Sequence, residues 1–187
     1  MSFVFPPVPF YFLRQGVTDH NLRRLVMGQL DIPLNPQGRR QAEAAAGLVA
    51  SLGVVSIVCS PLSRARETAE IVALRLGLAV TLVDALRERD WGEMSGRSYR
   101  DMFRQLQPAG AETTEAFAER VLAAATALTA PQPALMVAHS GVCRVLRRHF
   151  ALDNVEGPVP NAIPLLFLPS AEGRWSETVV DAQAIGL

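Results

Sequence analysis

Residues 134–141 read ALMVAHSG, and they are the most informative segment about the fold of this chain. The apolar run at 134–138 predicts a strand, which ends at His139, Ser140 and Gly141. The segment 142–150 that follows has the apolar spacing of a helix. A strand that ends in a polar turn and continues into a helix is the repeating unit of parallel α/β sheets.

The same pattern recurs toward both ends of the chain. Residues 54–59 form a largely β-branched run, which is typical of a strand buried on both faces. The helix predicted at 62–76 ends at Gly77, and Asn35 and Pro36 are a cap and a first residue for another helix. Further strands are predicted at 8–13, 79–83, 163–168 and 175–180, and further helices at 36–52, about 98–106 and 114–128.

Strands that alternate with helices predict an α/β fold, a three-layer α/β/α sandwich around a mostly parallel central sheet. The 187 residues fit one domain spanning 1–187, because no internal repeat or low-complexity linker divides them. The region of about 97–130 is a candidate for a small helical cap outside the central layers.

The composition excludes several classes of protein. The chain is 49% hydrophobic with a formal net charge of zero, which excludes a disordered protein and leaves no excess positive charge for nucleic acid. All eighteen basic residues are arginines. Any anion site must therefore use guanidinium groups, and lysine chemistry such as a Schiff base is excluded.

Metals, cofactors and membranes are not expected either. Cys59 and Cys143 are too few for a disulfide framework, and neither has a metal-like partner nearby. No run approaches the roughly 20 apolar residues that span a membrane, and residues 1–9 lack the basic start of a signal peptide. The sequence predicts a cytoplasmic protein without metal or cofactor that binds neither nucleic acid nor membranes.

Three polar clusters follow predicted strands, and we expect them to form one site because the carboxyl ends of parallel strands meet at one edge of the sheet. Arg14 ends a strand and Arg64 lies near a helix start, and both positions favour an anion. Glu88 lies in a loop after a strand. This pattern favours a phosphate-ester site with a proton donor, with surface ion pairs as the alternative. The clusters are 14–16, 60–64 and 139–141.

Five motifs, in order and at compatible spacings, resemble those of the histidine phosphatase superfamily, the phosphoglycerate-mutase-like proteins. Five matches are far more specific than one, and they cover about residues 8 to 170. The resemblance implies the phosphoglycerate-mutase-like version of the α/β fold. The matching residues are Arg14, Gly16, Thr18 and Asn21; Gly28, Asp31, Pro33, Leu34, Gly38, Gln41 and Ala42; Ser60, Leu62, Arg64, Ala65, Thr68 and Ala69; Leu86, Glu88, Gly92 and Gly96; and Val137, Ala138, His139, Ser140 and Gly141.

The resemblance implies a two-step phosphoryl transfer to a histidine and then to water. The histidine after the first arginine attacks phosphorus, and a glutamate protonates the leaving oxygen. The expected ligand is a small phosphorylated substrate, or inorganic phosphate or sulfate. Carried over, the catalytic positions are Gln15, Glu88 and His139; the phosphate-binding residues are Arg14, Asn21, Arg64, His139 and Ser140; and the substrate-binding residues are Met27, Gly28 and Arg89.

Gln15 departs from the family pattern, because it stands where the nucleophilic histidine is expected. The lone pair of an amide nitrogen is delocalised into its carbonyl, so glutamine can contact phosphate but cannot form a phosphoenzyme. Loss of a nucleophile costs on the order of a millionfold in another hydrolase. The sequence therefore predicts a phosphate-monoester hydrolase with severely reduced turnover. The alternative is a non-catalytic pseudo-phosphatase that binds a phosphorylated metabolite or phosphoprotein.

Three origins of Gln15 stay open at this point. The chain is a natural pseudo-enzyme, or it carries a deliberate or accidental substitution, or its chemistry uses His139 or an activated water instead. His20 is a loop residue five positions further on, and we do not expect it to replace the nucleophile. Retention of Glu88 argues against drift after loss of function, because a phosphate binder gains nothing from a carboxylate beside a dianion.

The spacing between Glu88 and His139 favours the small phosphatase branch over the mutases. These residues are only 51 positions apart, whereas the mutases carry a longer insertion there. The small branch includes broad-specificity phosphatases and α-ribazole-phosphate phosphatase.

Two further groups of basic residues have a functional and a structural interpretation. The first group forms one basic face of a short predicted helix, as a lid over the substrate or as a solvated surface. The second group ends a helix, where it complements the helix dipole. The first group is Arg97, Arg100 and Arg104, and the second is Arg147, Arg148 and His149.

The apolar run at 163–168 is predicted to be a buried strand, and an exposed copy of it would allow pairing across a homodimer.

Overall fold

The computed structural model describes residues 6–102, 108–127 and 131–180. Its centre is a six-stranded sheet made of β1 (Phe10–Arg14), β2 (Ser56–Cys59), β3 (Val80–Leu82), β4 (Ala134–Ala138), β5 (Pro164–Pro169) and β6 (Trp175–Val179). The strand order across the sheet is β3-β2-β4-β1-β5-β6. Strands β1 to β4 pair in parallel, whereas β5 pairs antiparallel with β1 and β6 antiparallel with β5. The sheet is mostly parallel, as predicted.

Helices lie between the strands along the chain, and two short 3₁₀ turns follow β3. Helix α2 (Pro36–Val49) begins with Pro36 in its first turn, and the side chain of Asn35 accepts a hydrogen bond from the Gly38 N–H. The predicted N-cap of this helix is confirmed. The helices are α1 (Asp19–Leu22), α2 (Pro36–Val49), α3 (Ser63–Leu76), α4 (Tyr99–Met102), α5 (Thr114–Ala127) and α6 (Ser140–His149), and the 3₁₀ turns are Asp84–Leu86 and Gly92–Met94.

Each face of the sheet has its own apolar core, because successive side chains of a strand point to opposite faces. Along β4, Leu135 and Val137 belong to the core that includes α2 and α3. Met136 and Ala138 belong to the core that includes α5 and α6. All residues of β4 are buried. The α/β/α sandwich predicted from the sequence is confirmed.

The strand register brings the polar clusters together. In the parallel pair of β1 and β4, Arg14 lies opposite Ala138, and the Gln15 N–H donates to the Ala138 carbonyl. In the pair of β2 and β4, Cys59 lies opposite Val137. Because β1, β4 and β2 are neighbours, the residues that follow them meet at one edge of the sheet.

Two local predictions are wrong. His20 is expected in a loop, but it belongs to helix α1, which begins after a capping box between Thr18 and Asn21. The helix predicted from residue 142 begins at Ser140. His139 is therefore the residue immediately before a helix, and the helix N-terminus lies at the site.

The candidate cap region is only partly described, since residues 103–107 and 128–130 lie outside the described ranges and Arg104 is among them. Helix α5 buries Phe117 and Val121 in the core that it shares with α6. The single domain and its cap stay predictions.

Within the described ranges, no helix is long and apolar enough to cross a membrane. No group of three or more His, Cys, Asp or Glu side chains in those ranges is placed to hold a metal ion. Cys59 and Cys143 are free thiols. Burial raises the pKa of both, that of Cys143 to about 12, so neither is ionised at neutral pH.

Candidate active site

Ser60, His139 and Gln15 form a buried hydrogen-bonded chain across the ends of β2, β4 and β1. Nδ1 of His139 lies 3.1 Å from Oε1 of Gln15, and Nε2 lies 2.8 Å from Oγ of Ser60. A carboxamide oxygen can only accept, so Nδ1 carries the proton and Nε2 accepts from the Ser60 hydroxyl. Both nitrogens of His139 therefore have partners within the protein.

The surroundings of His139 hold its ring neutral. Burial, together with the positive charges of Arg64 and Arg14, lowers the pKa of His139 well below its usual value. An anion bound beside these arginines would reverse that electrostatic effect. The protonation of His139 is therefore expected to respond to a ligand.

Arg64 is a buried cation and Arg14 a half-buried one, and the protein satisfies both only partly. Nη1 of Arg14 donates to the Val159 carbonyl at 2.6 Å, and the Arg64 guanidinium donates to the carbonyls of Gly28 and Leu30, both at 2.8 Å. Nε of each arginine is buried and has no hydrogen-bond partner among the described residues. A buried charge without a carboxylate partner is costly unless it meets an anion.

Burial lowers the pKa of both arginines, that of Arg64 to about 10. Both therefore stay charged at neutral pH. Glu88 acts in the opposite direction on each of them, so this carboxylate lies close enough to both cations to interact electrostatically.

The carboxylate of Glu88 sits at the N-terminus of α6. It accepts hydrogen bonds from the Gly141 N–H and from the N–H of Arg89, both at 2.9 Å. A side chain at position 141 would overlap Oε1 of Glu88, so glycine is needed there for the close approach. The helix N-terminus favours the negative charge, and Glu88 is fixed in the wall of the site.

Three residues of the matching motifs hold the loops around the site. The Thr68 hydroxyl accepts from the Gly16 N–H at 3.1 Å, and the Gln41 carboxamide accepts from the Val17 N–H at 2.9 Å. Asp31 accepts from the Ser63 N–H at the start of α3. These contacts fix the backbone that follows β1 and precedes Arg64.

Arg120 on α5 fixes the loop that carries Glu88. It donates to the carbonyls of Ala85 and Arg87 at 2.8 and 3.0 Å, and forms a two-point ion pair with Glu112 at 2.8 and 2.7 Å. Sequence reasoning missed this pair, because the two residues are eight positions apart and resemble ordinary surface charges.

These residues surround one open cavity of about 680 Å³. This volume lies in the range of small-molecule sites and is much larger than a phosphoryl group. Nearly all of the predicted site residues line it, and Asn21 is absent from the lining. The lining includes Arg14, Gln15, Met27, Gly28, Arg64, Glu88, Arg89, His139 and Ser140 from the predicted set, and Trp91, Tyr99, Thr114, Phe117, Gly141, Arg144, Val145, Arg148 and Glu156 in addition.

The side chain of Asn21 serves the capping box of α1. Its oxygen accepts from the N–H and the hydroxyl of Thr18, at 3.0 and 3.1 Å. The Thr18 hydroxyl also contacts the sulfur of Met27, which does line the cavity. The phosphate-binding role of Asn21 stays a prediction.

Comparison with known proteins defines the family. The sequence model of one protein family, the histidine phosphatase superfamily (branch 1), matches residues 10–158. The chain belongs to the histidine phosphatase superfamily, and the resemblance read from the motifs is confirmed.

Several of the similar proteins are phosphatases. The chain is 33% identical over 141 residues to "Uncharacterized phosphatase PhoE" of Bacillus subtilis (strain 168), covering 72% of each chain. It matches the structure of a mycobacterial glucosyl-3-phosphoglycerate phosphatase in complex with VO3 with a TM-score of 0.79 and 30% identity, covering 94% of this chain and 99% of that one. It matches the structure of a putative alpha-ribazole-5'-P phosphatase from Escherichia coli with a TM-score of 0.80 and 25% identity, covering 96% and 100%.

A relative of a different kind is agropine synthesis reductase of Rhizobium rhizogenes, which is 39% identical over 148 residues. The match covers 73% of this chain but only 34% of the reductase, so the chain spans about a third of that protein's length.

Proposed function

We propose that this chain binds the phosphoryl group of a small phosphate monoester between Arg14 and Arg64, and that Gln15 severely limits its hydrolysis. Two guanidinium groups that line one cavity carry this proposal, because neither has a carboxylate partner and each has an unpaired Nε among the described residues. A phosphate dianion supplies the acceptor oxygens that these groups lack. The vanadium oxyanion bound by the related mycobacterial phosphatase is consistent with it.

Glu88 is the proposed proton donor to the leaving oxygen. Its carboxylate is fixed by the N–H groups of Arg89 and Gly141 in the same cavity wall, close enough to interact with both arginines. A bound phosphoryl group would separate Glu88 from those cations, with the ester oxygen directed toward the carboxylate. A protein that only holds phosphate has no use for a carboxylate there.

Gln15 limits the proposed hydrolysis to direct attack by water. In that reaction a water oxygen bonds to phosphorus, the bond from phosphorus to the ester oxygen breaks, and the protonated form of Glu88 gives its proton to the departing oxygen. Both protons of the water stay on the product phosphate, and one of them then returns to the Glu88 carboxylate to restore the acid. The two-step route needs a nucleophile at position 15, and a carboxamide cannot supply one. We expect turnover lower than that of a histidine-bearing site by on the order of a millionfold.

The second candidate is a pseudo-phosphatase that binds a phosphorylated molecule without turnover. The observation in its favour is the chain of hydrogen bonds from Ser60 through His139 to Gln15, which occupies both ring nitrogens. In this arrangement His139 stabilises the site rather than the transferred group. The two candidates differ in one respect: only the hydrolase is expected to gain activity when a histidine is placed at position 15.

Titration calorimetry with orthophosphate tests the binding site that both candidates share. We expect saturable binding to a single site, lost in Arg64→Gln and Arg14→Gln and retained in the control Arg174→Gln, whose side chain is 84% exposed. Circular dichroism identifies any variant that fails to fold. No saturable heat with the unmodified chain would refute the proposed site, whatever the variants do.

A further inference from the structure

Two arginines of α6 lie in the cavity beyond the phosphate site. Arg144 and Arg148 are one helical turn apart, and both line the cavity together with Glu156. Two like charges at this spacing repel each other unless an anion lies between them. The helix-dipole interpretation of Arg148 does not explain why its side chain lines the site.

Glu156 supplies that anion, and it is shared between both arginines. Its Oε1 lies 2.8 Å from an Nη of Arg148, and its Oε2 lies 3.8 Å from Nε of Arg144. The second separation is too long for a hydrogen bond. Nε of Arg144 is buried and has no hydrogen-bond partner among the described residues. One carboxylate therefore leaves two guanidinium groups incompletely satisfied.

The contact with Glu156 is weak enough to be displaced. The Glu156 side chain is 72% exposed and that of Arg148 is 54% exposed, and ion pairs of such exposed groups contribute little to stability. Arg144 and Arg148 line the same cavity as Arg14 and Arg64, so the pair on α6 adjoins the phosphate site. An anionic group of a ligand could occupy the position that Glu156 holds.

We propose that Arg144 and Arg148 form a second anion subsite, which binds an anionic group carried by the substrate at a distance from its phosphoryl group. The subsite rests on the proposed function, since the phosphoryl group must occupy Arg14 and Arg64 first. Glu156 occupies the subsite in the free protein and competes with the ligand. The favoured substrate class is a phosphate monoester with a carboxylate or a second phosphate.

The test measures the affinity of alkyl phosphates, ω-carboxyalkyl phosphates and alkanediyl bisphosphates of matched chain length by calorimetry. We expect at least one carboxyalkyl phosphate or bisphosphate to bind about tenfold or more tightly than its alkyl counterpart. Arg148→Gln removes that advantage, whereas Glu156→Gln increases it, with each effect measured as a ratio to the alkyl phosphate affinity of the same variant. If Arg148→Gln lowers the affinity for the carboxyalkyl phosphates more than that for the bisphosphates, the subsite takes a carboxylate. The opposite result identifies a phosphate as the group that it takes.

The matched controls are Arg66→Gln and Glu70→Gln, an exposed ion pair on α3 whose residues do not line the cavity. Equal affinity for all three ligand classes, or no response to Arg148→Gln and Glu156→Gln, overturns the subsite while leaving the phosphate site intact. Failure of alkyl phosphate and orthophosphate to bind at all overturns both proposals. If Glu156→Gln lowers the affinity for the second anion as Arg148→Gln does, the ion pair has a structural role, and this result would also overturn the subsite.

Discussion

Replacing Arg120 with methionine should lower the free energy of unfolding by about 3 kcal/mol. Methionine keeps much of the side-chain length but removes the guanidinium group. The substitution breaks the hydrogen bonds to the carbonyls of Ala85 and Arg87 and the two-point pair with Glu112. Each carbonyl that loses a charged donor costs about 1 kcal/mol when water partly replaces it. The ion pair, whose side chains are 24% and 17% exposed, contributes about another 1 kcal/mol.

The same substitution should change how stability depends on pH. Burial alone would raise the pKa of Glu112, but the hydrogen bonds and charge of Arg120 outweigh it and hold that pKa below its usual value. A carboxyl with a depressed pKa in the folded state contributes stability above its unfolded pKa of about 4.3, and loses it as the pH falls through the folded value. The difference between the two proteins should therefore be full at pH 7 and shrink below about pH 4.

Urea unfolding at several pH values measures both effects, with Arg66→Met as the control because its ion pair is exposed. A difference below about 1 kcal/mol at pH 7 would show that Arg120 does not fix the Glu88 loop. A difference that is unchanged at low pH would show that Glu112 is not the partner that matters.

Three further predictions concern the site and its support. Gly141→Ala places a methyl group against the Glu88 carboxylate, so in a Gln15→His background it should reduce aryl phosphate hydrolysis at least tenfold while leaving orthophosphate affinity nearly unchanged; a fully active variant would contradict the role of Glu88. Arg147→Met breaks a pair with Glu177 in which Arg147 is 1% exposed, and calorimetry should record a loss of about 3 kcal/mol or more; an unchanged unfolding temperature would contradict this. The ¹⁵N shifts of His139 should indicate a neutral ring at pH 6.5, and orthophosphate should raise its pKa; a ring already charged in the free protein would refute the proposed electrostatics.

The parts of the fold that the sequence predicts well are those with strong local signals. Strand β4 has the predicted bounds because every residue from Ala134 to Ala138 is apolar, and α2 begins where Asn35 and Pro36 predict. The sequence does not predict helix α1, because this helix has only four residues and no apolar face, and the polar capping box at Thr18 is also typical of a loop. It predicts the start of α6 two residues late for a similar reason, since Ser140 and Gly141 are poor helix formers.

The candidate site likewise has residues that the sequence predicts and contacts that it does not predict. Motif residues such as Arg14, Arg64, Glu88 and His139 could be named from the sequence, and they line one cavity. The hydrogen-bond partners of His139 could not be predicted, because they depend on side-chain orientation across three strands. The contact between Arg148 and Glu156 joins a helix to a later loop, and no spacing rule identifies it.

We infer that this site lacks only its nucleophile. Hydrolysis of p-nitrophenyl phosphate by the unmodified chain, by Gln15→His and by the control Gln15→Ala tests that claim. The backbone of residue 15 is held on both sides, by the Ala138 carbonyl and by the Asn161 side chain, so the new imidazole should start from the same position. We expect kcat/KM of Gln15→His to exceed that of the other two by at least about a thousandfold, given the size of the loss when a nucleophile is removed. Equal and negligible hydrolysis by all three proteins, with orthophosphate binding retained, would contradict the claim and identify a phosphate-binding protein instead.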